Sequence, residues 1–230
     1  MRQAGLAPDG PGPLADQAWE NHAWPRHVRA RRAVSFFEPP KPPPGPLAPP
    51  ATPELPEWLG PPDNVLGGLV AFGLTAAHSE NAAVRVEWAT AYPTGVQFRI
   101  DVRWRAEVKS ISMSAAWDQE LRPGQDLPTN LFRAGFQLAD GSKATWLGAG
   151  RGAVARSLRP DVRPEGPVLW PGAGGGGSRC WSQDLWLWPL PPEGRLEFVC
   201  ERPALGIELT RAELDARQIR AAATRSQTLW

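Results

Sequence analysis

The clearest alternation in the chain runs through residues 96–104. Val96, Phe98, Ile100, Val102 and Trp104 fall on one side, and Gln97, Arg99, Asp101 and Arg103 on the other. A period of two with one apolar and one charged face predicts a half-buried antiparallel strand. Upstream, Val84, Val86 and Trp88 alternate with Arg85 and Glu87, and Tyr92-Pro93-Thr94-Gly95 supplies the turn between the two strands. Residues 69–77 are apolar at nearly every position, which suits a strand buried on both faces or flanked by small residues; the HSEN stretch at 78–81 reads as its turn. Downstream, Phe132, Ala134, Phe136 and Leu138 alternate with Arg133, Gly135 and Gln137. Asp140-Gly141 then gives a strong short-hairpin signal, with residues 143–147 as the returning strand. Residues 106–130 lose the alternation: Val108, Ile111 and Met113 suit either a strand or a loop, and residues 118–130 read as a polar connection. Residues 148–179 read as loop, with a short strand at 168–170.

The stretch WSQDLWLWPLPPEGRLEFVCERPALGI, residues 181–207, carries three of the twelve tryptophans and one of the two cysteines. Leu196, Phe198 and Cys200 alternate with Arg195, Glu197 and Glu201, and Pro191-Pro192-Glu193-Gly194 punctuates a turn. The expected element is a hairpin, with Leu185 and Leu187 beside Phe198 and Cys200. Trp186 and Trp188 then point the other way, and a one-residue slip would exchange the two faces. Two outcomes follow for these rings. They lie beneath a loop or the N-terminal segment, as large rings usually do, or they form an exposed platform for a partner. Residues 207–215 read as a last strand. Thr210 with Glu213 also matches a capping box, which allows a helix start there. Asp215 with Gln218 is an alternative cap for a helix near 216–226 with Ile219, Ala222 and Ala223 as its apolar face, and Leu229 and Trp230 are expected to tuck back onto the sheet.

The first 62 residues differ. Residues 1–37 hold Trp19, Trp24 and a basic cluster of Arg26, Arg29, Arg31 and Arg32, without sustained periodicity; they read as a disordered extension. The change of composition near Ser35 raises the alternative that translation begins there. Residues 38–62 are proline-rich and read as a stiff polyproline linker or a ligand for a proline-reading domain, with Trp58 and Leu59 docking onto the domain that occupies 63–230.

Composition narrows the function. A net charge of +1 argues against a general nucleic-acid or membrane-surface binder. No run approaches the roughly 18 apolar residues of a membrane helix, and no charged start leads into an apolar stretch, so the expected compartment is the cytoplasm. In the expected hairpin Cys180 and Cys200 stand about five residues out of register, on the order of 17 Å, which favours two free thiols.

Candidate chemistry is sparse. The glycine run at 172–177 lacks the lysine and the following helix of a phosphate loop and reads as a mobile loop, with Trp170 and Trp181 anchoring its ends. His22, His27 and His78 with two cysteines make no metal spacing. Asp184, Glu197 and Glu201 on one face of the hairpin are conceivable paired carboxylates, but Arg195 and Arg202 beside them favour a salt-bridge lattice. A catalytic alternative joins Asp184 to Asp140 or Asp215.

LPEWLGPPDNVLGG (55–68), AYPTGVQF (91–98), FQLADGSKAT (136–145) and the glycine run followed by LWLWPLPPEG and FVCERPALGI occur together here. In that combination the chain resembles a family of small proteins from high-GC bacteria that begin near an SFFEPP-like segment, as at residues 35–40. The likeness spans roughly residues 35–230. It implies a folded protein and carries over no activity, cofactor or site residue.

The expected architecture is all-β: an antiparallel, immunoglobulin-like sandwich of about eight strands with one short C-terminal helix. The expected function is non-catalytic binding of a protein partner, without cofactor or metal, through the tryptophan-bearing hairpin and the glycine-rich loop, with Trp170, Trp181, Asp184, Trp186 and Trp188 as the contact residues. A carbohydrate-binding module, or an enzyme drawn from the scattered acids, is the alternative.

Overall fold

An alternating strand needs a cover for its apolar face, and two sheets folded face to face provide it. The computed structural model describes residues 55–105, 126–147 and 163–230, all within one compact unit, Thr52–Trp230. The described elements are β1 (Val65–Leu66), β2 (Gly68–His78), β3 (Ala82–Ala91), β4 (Val96–Trp104), β5 (Arg133–Gln137), β6 (Lys143–Trp146), β7 (Val168–Gly176), β8 (Cys180–Trp188), β9 (Arg195–Arg202), β10 (Ile207–Asp215), α1 (Ala216–Ala223) and β11 (Gln227–Thr228). The expectations for residues 1–54, including the late start and most of the proline linker, and those for 106–125 and 148–162, lie outside the described residues.

One sheet has the order β2-β3-β4-β8-β7 and the other β10-β9-β5-β6, all antiparallel; β1 and β11 make a third, two-stranded ribbon. The core lies between the two large sheets. Phe98 of β4 stacks on Phe136 of β5 at 4.4 Å between centroids, and Phe136 meets Phe198 of β9 at 5.3 Å. Val96, Phe98, Ile100 and Val102 are all buried, as their alternation requires. The sheets also meet along their edges, β10 beside β2 and β6 beside β7. Of the two expected starts, helix α1 takes the one at Asp215, while Thr210 and Glu213 lie within β10: Asp215 Oδ1 accepts the Arg217 backbone N–H at 2.9 Å, and Ile219, Ala222 and Ala223 face the core. It packs so closely on β2 that a Cβ on Gly68 would stand 1.9 Å from the Ala222 carbonyl oxygen.

Four expectations are corrected. Residues 181–188 and 195–202 do not pair: β8 has β4 and β7 on its two edges, β9 has β5 and β10 on its own, and the PPEG segment carries the chain from one sheet to the other. Proline has no N–H for a ladder, so the same residues that mark a tight hairpin also mark a strand's end at a crossover. Second, β2 is not buried on both faces: Leu69 is 63% exposed and Ala71, Gly73 and Thr75 are exposed too, while Val70, Ala76 and Ala77 are buried. In β8 neither the leucines nor the tryptophans face solvent, which for the tryptophans is the covered one of the two expected outcomes. Leu185 and Leu187 lie in the core, while Trp186 and Trp188 lie on the opposite face, equally buried. Third, the glycine run is not a loop but the second half of β7, in register with β8 through Gly174–Gln183, Gly175–Ser182 and Gly176–Trp181. Close approach explains the glycines at 174 and 176: a Cβ on Gly174 would stand 2.0 Å from Gln183 Oε1, and one on Gly176 2.1 Å from the Cys180 carbonyl oxygen. Fourth, Trp230 does not tuck back; it is 82% exposed and Leu229 44%. The terminus is held by backbone bonds instead, β11 on β1 and the Leu229 N–H on the Asn64 carbonyl at 2.8 Å, which leaves its side chains outside.

Candidate functional site

The outward face of the five-stranded sheet gathers most of the chemistry. Along β4 the outward residues Gln97, Arg99, Asp101 and Arg103 stand opposite Trp186, Asp184, Ser182 and Cys180 of β8. Arg99 donates from its guanidinium to Asp184 Oδ1 at 2.7 Å and lies over the Trp88 ring, 5.8 Å from its centroid. Trp88 reaches this place because a register shift in β3 between Val86 and Trp88 sets it opposite Arg99. Asp101 accepts from Arg103 Nε at 2.8 Å and from the Ser182 hydroxyl. Gly172 of β7, on the other side of β8, lies close to this pair, where a Cβ would stand 3.2 Å from Asp184 Cβ.

Asp184 is 8% exposed, and burial pushes its carboxyl above the ordinary carboxylate range; attraction to Arg99 pulls the other way and is the weaker effect. Burial also raises the Tyr92 phenol, with the Asp184 charge adding to it. Tyr92 meets Trp186 edge to face at 5.6 Å, and a glycine at 95 leaves room for that indole, since a Cβ there would stand 2.5 Å from Trp186 Cζ2.

The far end of the face is covered by residues 55–62. Trp186 Nε1 donates to the Glu57 carbonyl oxygen at 3.1 Å, and Trp58 meets Trp188 edge to face at 6.2 Å. Arg163 lies over the Trp188 ring at 5.0 Å and pairs with Glu57 at 3.2 Å. Thus the end of the proline-rich stretch docks, as expected for Trp58, and its docking covers the tryptophans. Trp186 is 2% exposed and Trp188 4%, so of the two expected outcomes the covered one holds and the open platform does not.

Of the residues singled out from the sequence, Trp170, Asp184 and Trp186 share this face, with Trp170 directly opposite Trp186 and half-exposed, and Trp188 lies further along it. Trp181 does not join them; it lies opposite Val102 and packs against the core. Glu197 and Glu201 belong to the other sheet, so no carboxylate pair forms with Asp184. Glu197 is held by Arg195 at 3.0 Å and Arg211 at 3.1 Å, and Glu201 by Arg133 at 2.5 Å. Arg202 is buried rather than part of a surface lattice, and burial lowers its guanidinium to about 10. Asp140 and Asp215 each serve a local turn. Asp140 accepts from the Ser142 N–H and hydroxyl, which lower its carboxyl, and Asp215 caps α1. The described residues hold no group of three or more histidine, cysteine or acidic side chains placed for a metal ion, and no described helix is long and apolar enough to cross a membrane.

Arg99, Trp88, Tyr92, Glu57, Trp58 and Arg163 complete the surface and were not among the candidates. The charged face of residues 96–104 pointed toward Arg99, and the expected docking of Trp58 toward the covering segment; no signal pointed toward the rest. Comparison with family models, curated proteins and solved structures finds no match.

Proposed function

We propose that the chain is a non-catalytic protein-interaction domain of immunoglobulin-like architecture, working in the cytoplasm and binding its partner through the outer face of β3, β4, β8 and β7. The architecture is supported by strand order. Omitting β2, β3-β4-β8-β7 against β10-β9-β5-β6 corresponds to A-B-E-D against G-F-C-C′ in that fold, with β2 added beside the first strand. Two free thiols suit a reducing compartment.

The observation that carries the functional reading is the Arg99–Asp184 pair, partly desolvated, with Arg99 over the half-exposed Trp88 ring and the half-exposed Trp170 on the same face. Arginine and tryptophan are the residue types that anchor protein interfaces, and desolvation makes such a pair selective for a complementary surface. The glycine half of β7, exposed along its length, borders the same face. A photo-crosslinking residue at Gly175, where a Cβ meets nothing within 4 Å, would report contact there. A discrete adduct from position 175 in native cells, and none from a control at Glu208 on β10, is the expected result. Equal labelling from both positions, or none from either, would remove the reading. The same rings favour sugar stacking as a second reading. Glycan-array binding that Trp170→Ala abolishes would replace a protein partner with a carbohydrate.

A further inference from the structure

Trp186 and Trp188 are buried, yet they lie on the face of the five-stranded sheet away from the core, and residues 55–62 supply part of their cover beside Tyr92 and Arg163. Residues 56–62 each keep part of their surface in solvent, and Leu55 is 65% exposed. The attachments of this segment on the described residues include an indole N–H to the Glu57 carbonyl, an edge-to-face contact of Trp58 on Trp188, and a solvent-facing Glu57–Arg163 pair. This is how a peptide ligand sits in a recognition site. A backbone carbonyl is read by a fixed donor, an aromatic anchor by a ring, and a carboxylate by an arginine. The Leu59 N–H to Pro56 carbonyl bond of 2.9 Å closes the turn that presents the Glu57 and Trp58 side chains.

We propose that this site recognises a proline-flanked peptide of a partner protein in which an acidic residue precedes a tryptophan, and that Glu57 and Trp58 of the chain occupy it as a built-in competitor. The proposal rests on the interaction-domain reading and gives its partner a chemistry. A groove of about 510 Å³ adjoins the site and shares Trp188 and Arg163 with it; Pro167, Pro189, Pro192 and Leu138 also line it. Proline-rich peptides in extended form favour grooves walled by aromatic rings. A partner longer than residues 55–62 gains contacts there that the internal segment does not make. A second copy of the chain offers only the identical segment. To displace a tethered one it would need a concentration on the order of millimolar, so a distinct partner is the occupant that fits.

The test uses the full chain and a fluorescein-labelled LPEWLGPP peptide, followed by anisotropy. Trp58→Ala loosens the internal competitor and is expected to bind the probe at least tenfold more tightly than the wild-type chain. Adding Arg163→Glu should weaken that binding at least fivefold, and the charge-reversed peptide LPKWLGPP should regain it. Four prolines added to one end of the probe should tighten binding severalfold; no gain at either end removes the groove from the site. Equal affinity of the wild-type and Trp58→Ala chains, or indifference to the Arg163 reversal, overturns the proposal. So does a wild-type dimer at micromolar concentration that Trp58→Ala dissolves, because the occupant would then be a second copy. Should Trp58→Ala fail to fold, Glu57→Ala loosens the same segment through its exposed ion pair alone and takes its place. Crosslinks from position 175 do not depend on residues 55–62. Their persistence without peptide binding would sink this proposal and leave the interaction domain standing, while loss of both would sink both.

Discussion

Two cysteines in one chain meet opposite environments, and the difference comes from pairing rather than from sequence neighbours. Cys200 points from the middle of β9 into the core, flanked in register by Ala134 of β5 and Thr210 of β10, and is 2% exposed. Burial pushes its thiol up to about 12, because the thiolate would lose its hydration there; the Glu201 charge adds to this. Cys180 begins β8 at the sheet's end, half-exposed beside Gly177. Only the thiolate is an effective nucleophile, so native protein at pH 8 should take up one equivalent of iodoacetamide, mapped to Cys180, and two in denaturant. Rapid native labelling of Cys200 would mean that β9 opens from β5 and β10. The same shift has a sign for stability. Above about pH 9 the unfolded thiol ionises while the folded one holds its proton, so this group's contribution to stability falls as pH climbs toward 12.

At the scale of elements, the Asp184–Arg99 pair joins β8 to β4 under opposing influences. Burial raises the carboxyl and Arg99 lowers it, and burial is the larger. A folded-state carboxyl raised above its unfolded value favours the fold when protonated, and that contribution is lost as pH rises through the folded value. Asp184→Asn keeps the shape and removes the titration. The stability of Asp184→Asn relative to wild type should therefore be greater at pH 7 than at pH 3.5, measured by guanidinium unfolding. The reverse trend would show that the Arg99 attraction outweighs desolvation. This pair also marks where sequence reading stops. The alternation of 96–104 and of 195–202 showed which side chains face inward, since period two is local. It did not show that Arg99 stands opposite Asp184, because register between β4 and β8 joins residues 85 positions apart. Two further elements were misread for physical reasons. PPEG stops a strand whether the chain then turns back or changes sheet. A glycine run looks like a flexible loop until a neighbouring backbone comes close enough to forbid any Cβ, as Cys180 does at Gly176. Trp186 and Trp188 were legible as a pair on one face; their cover came from Glu57 and Trp58, about 130 positions upstream, which no local pattern connects to them.

For the molecule as a whole, the question is whether the two large sheets stand or fall together. They share Phe136, which is 1% exposed and touches Phe98 of the five-stranded sheet and Phe198 of the four-stranded one. The chain crosses between the sheets after β4, after β6 and after β8, and the edges β10 and β6 lie along β2 and β7. Neither sheet can then expose its inner face without stripping the other. Phe136→Ala removes a ring from the middle of this contact and should cost about 3–5 kcal/mol, the usual range for a fully buried phenylalanine. The distribution of that cost is more informative than its size. Hydrogen exchange at pH 7 should show the core amides of β3, β4 and β8 losing as much protection as those of β9 and β10, because the loss lowers one common unfolding free energy. Protection lost in β5, β9 and β10 alone would mean that the four-stranded sheet opens by itself. The outer face of β4 and β8, which carries Arg99 and Asp184, would then rest on a sheet that is stable without its partner, and binding there could proceed with half of the sandwich unfolded.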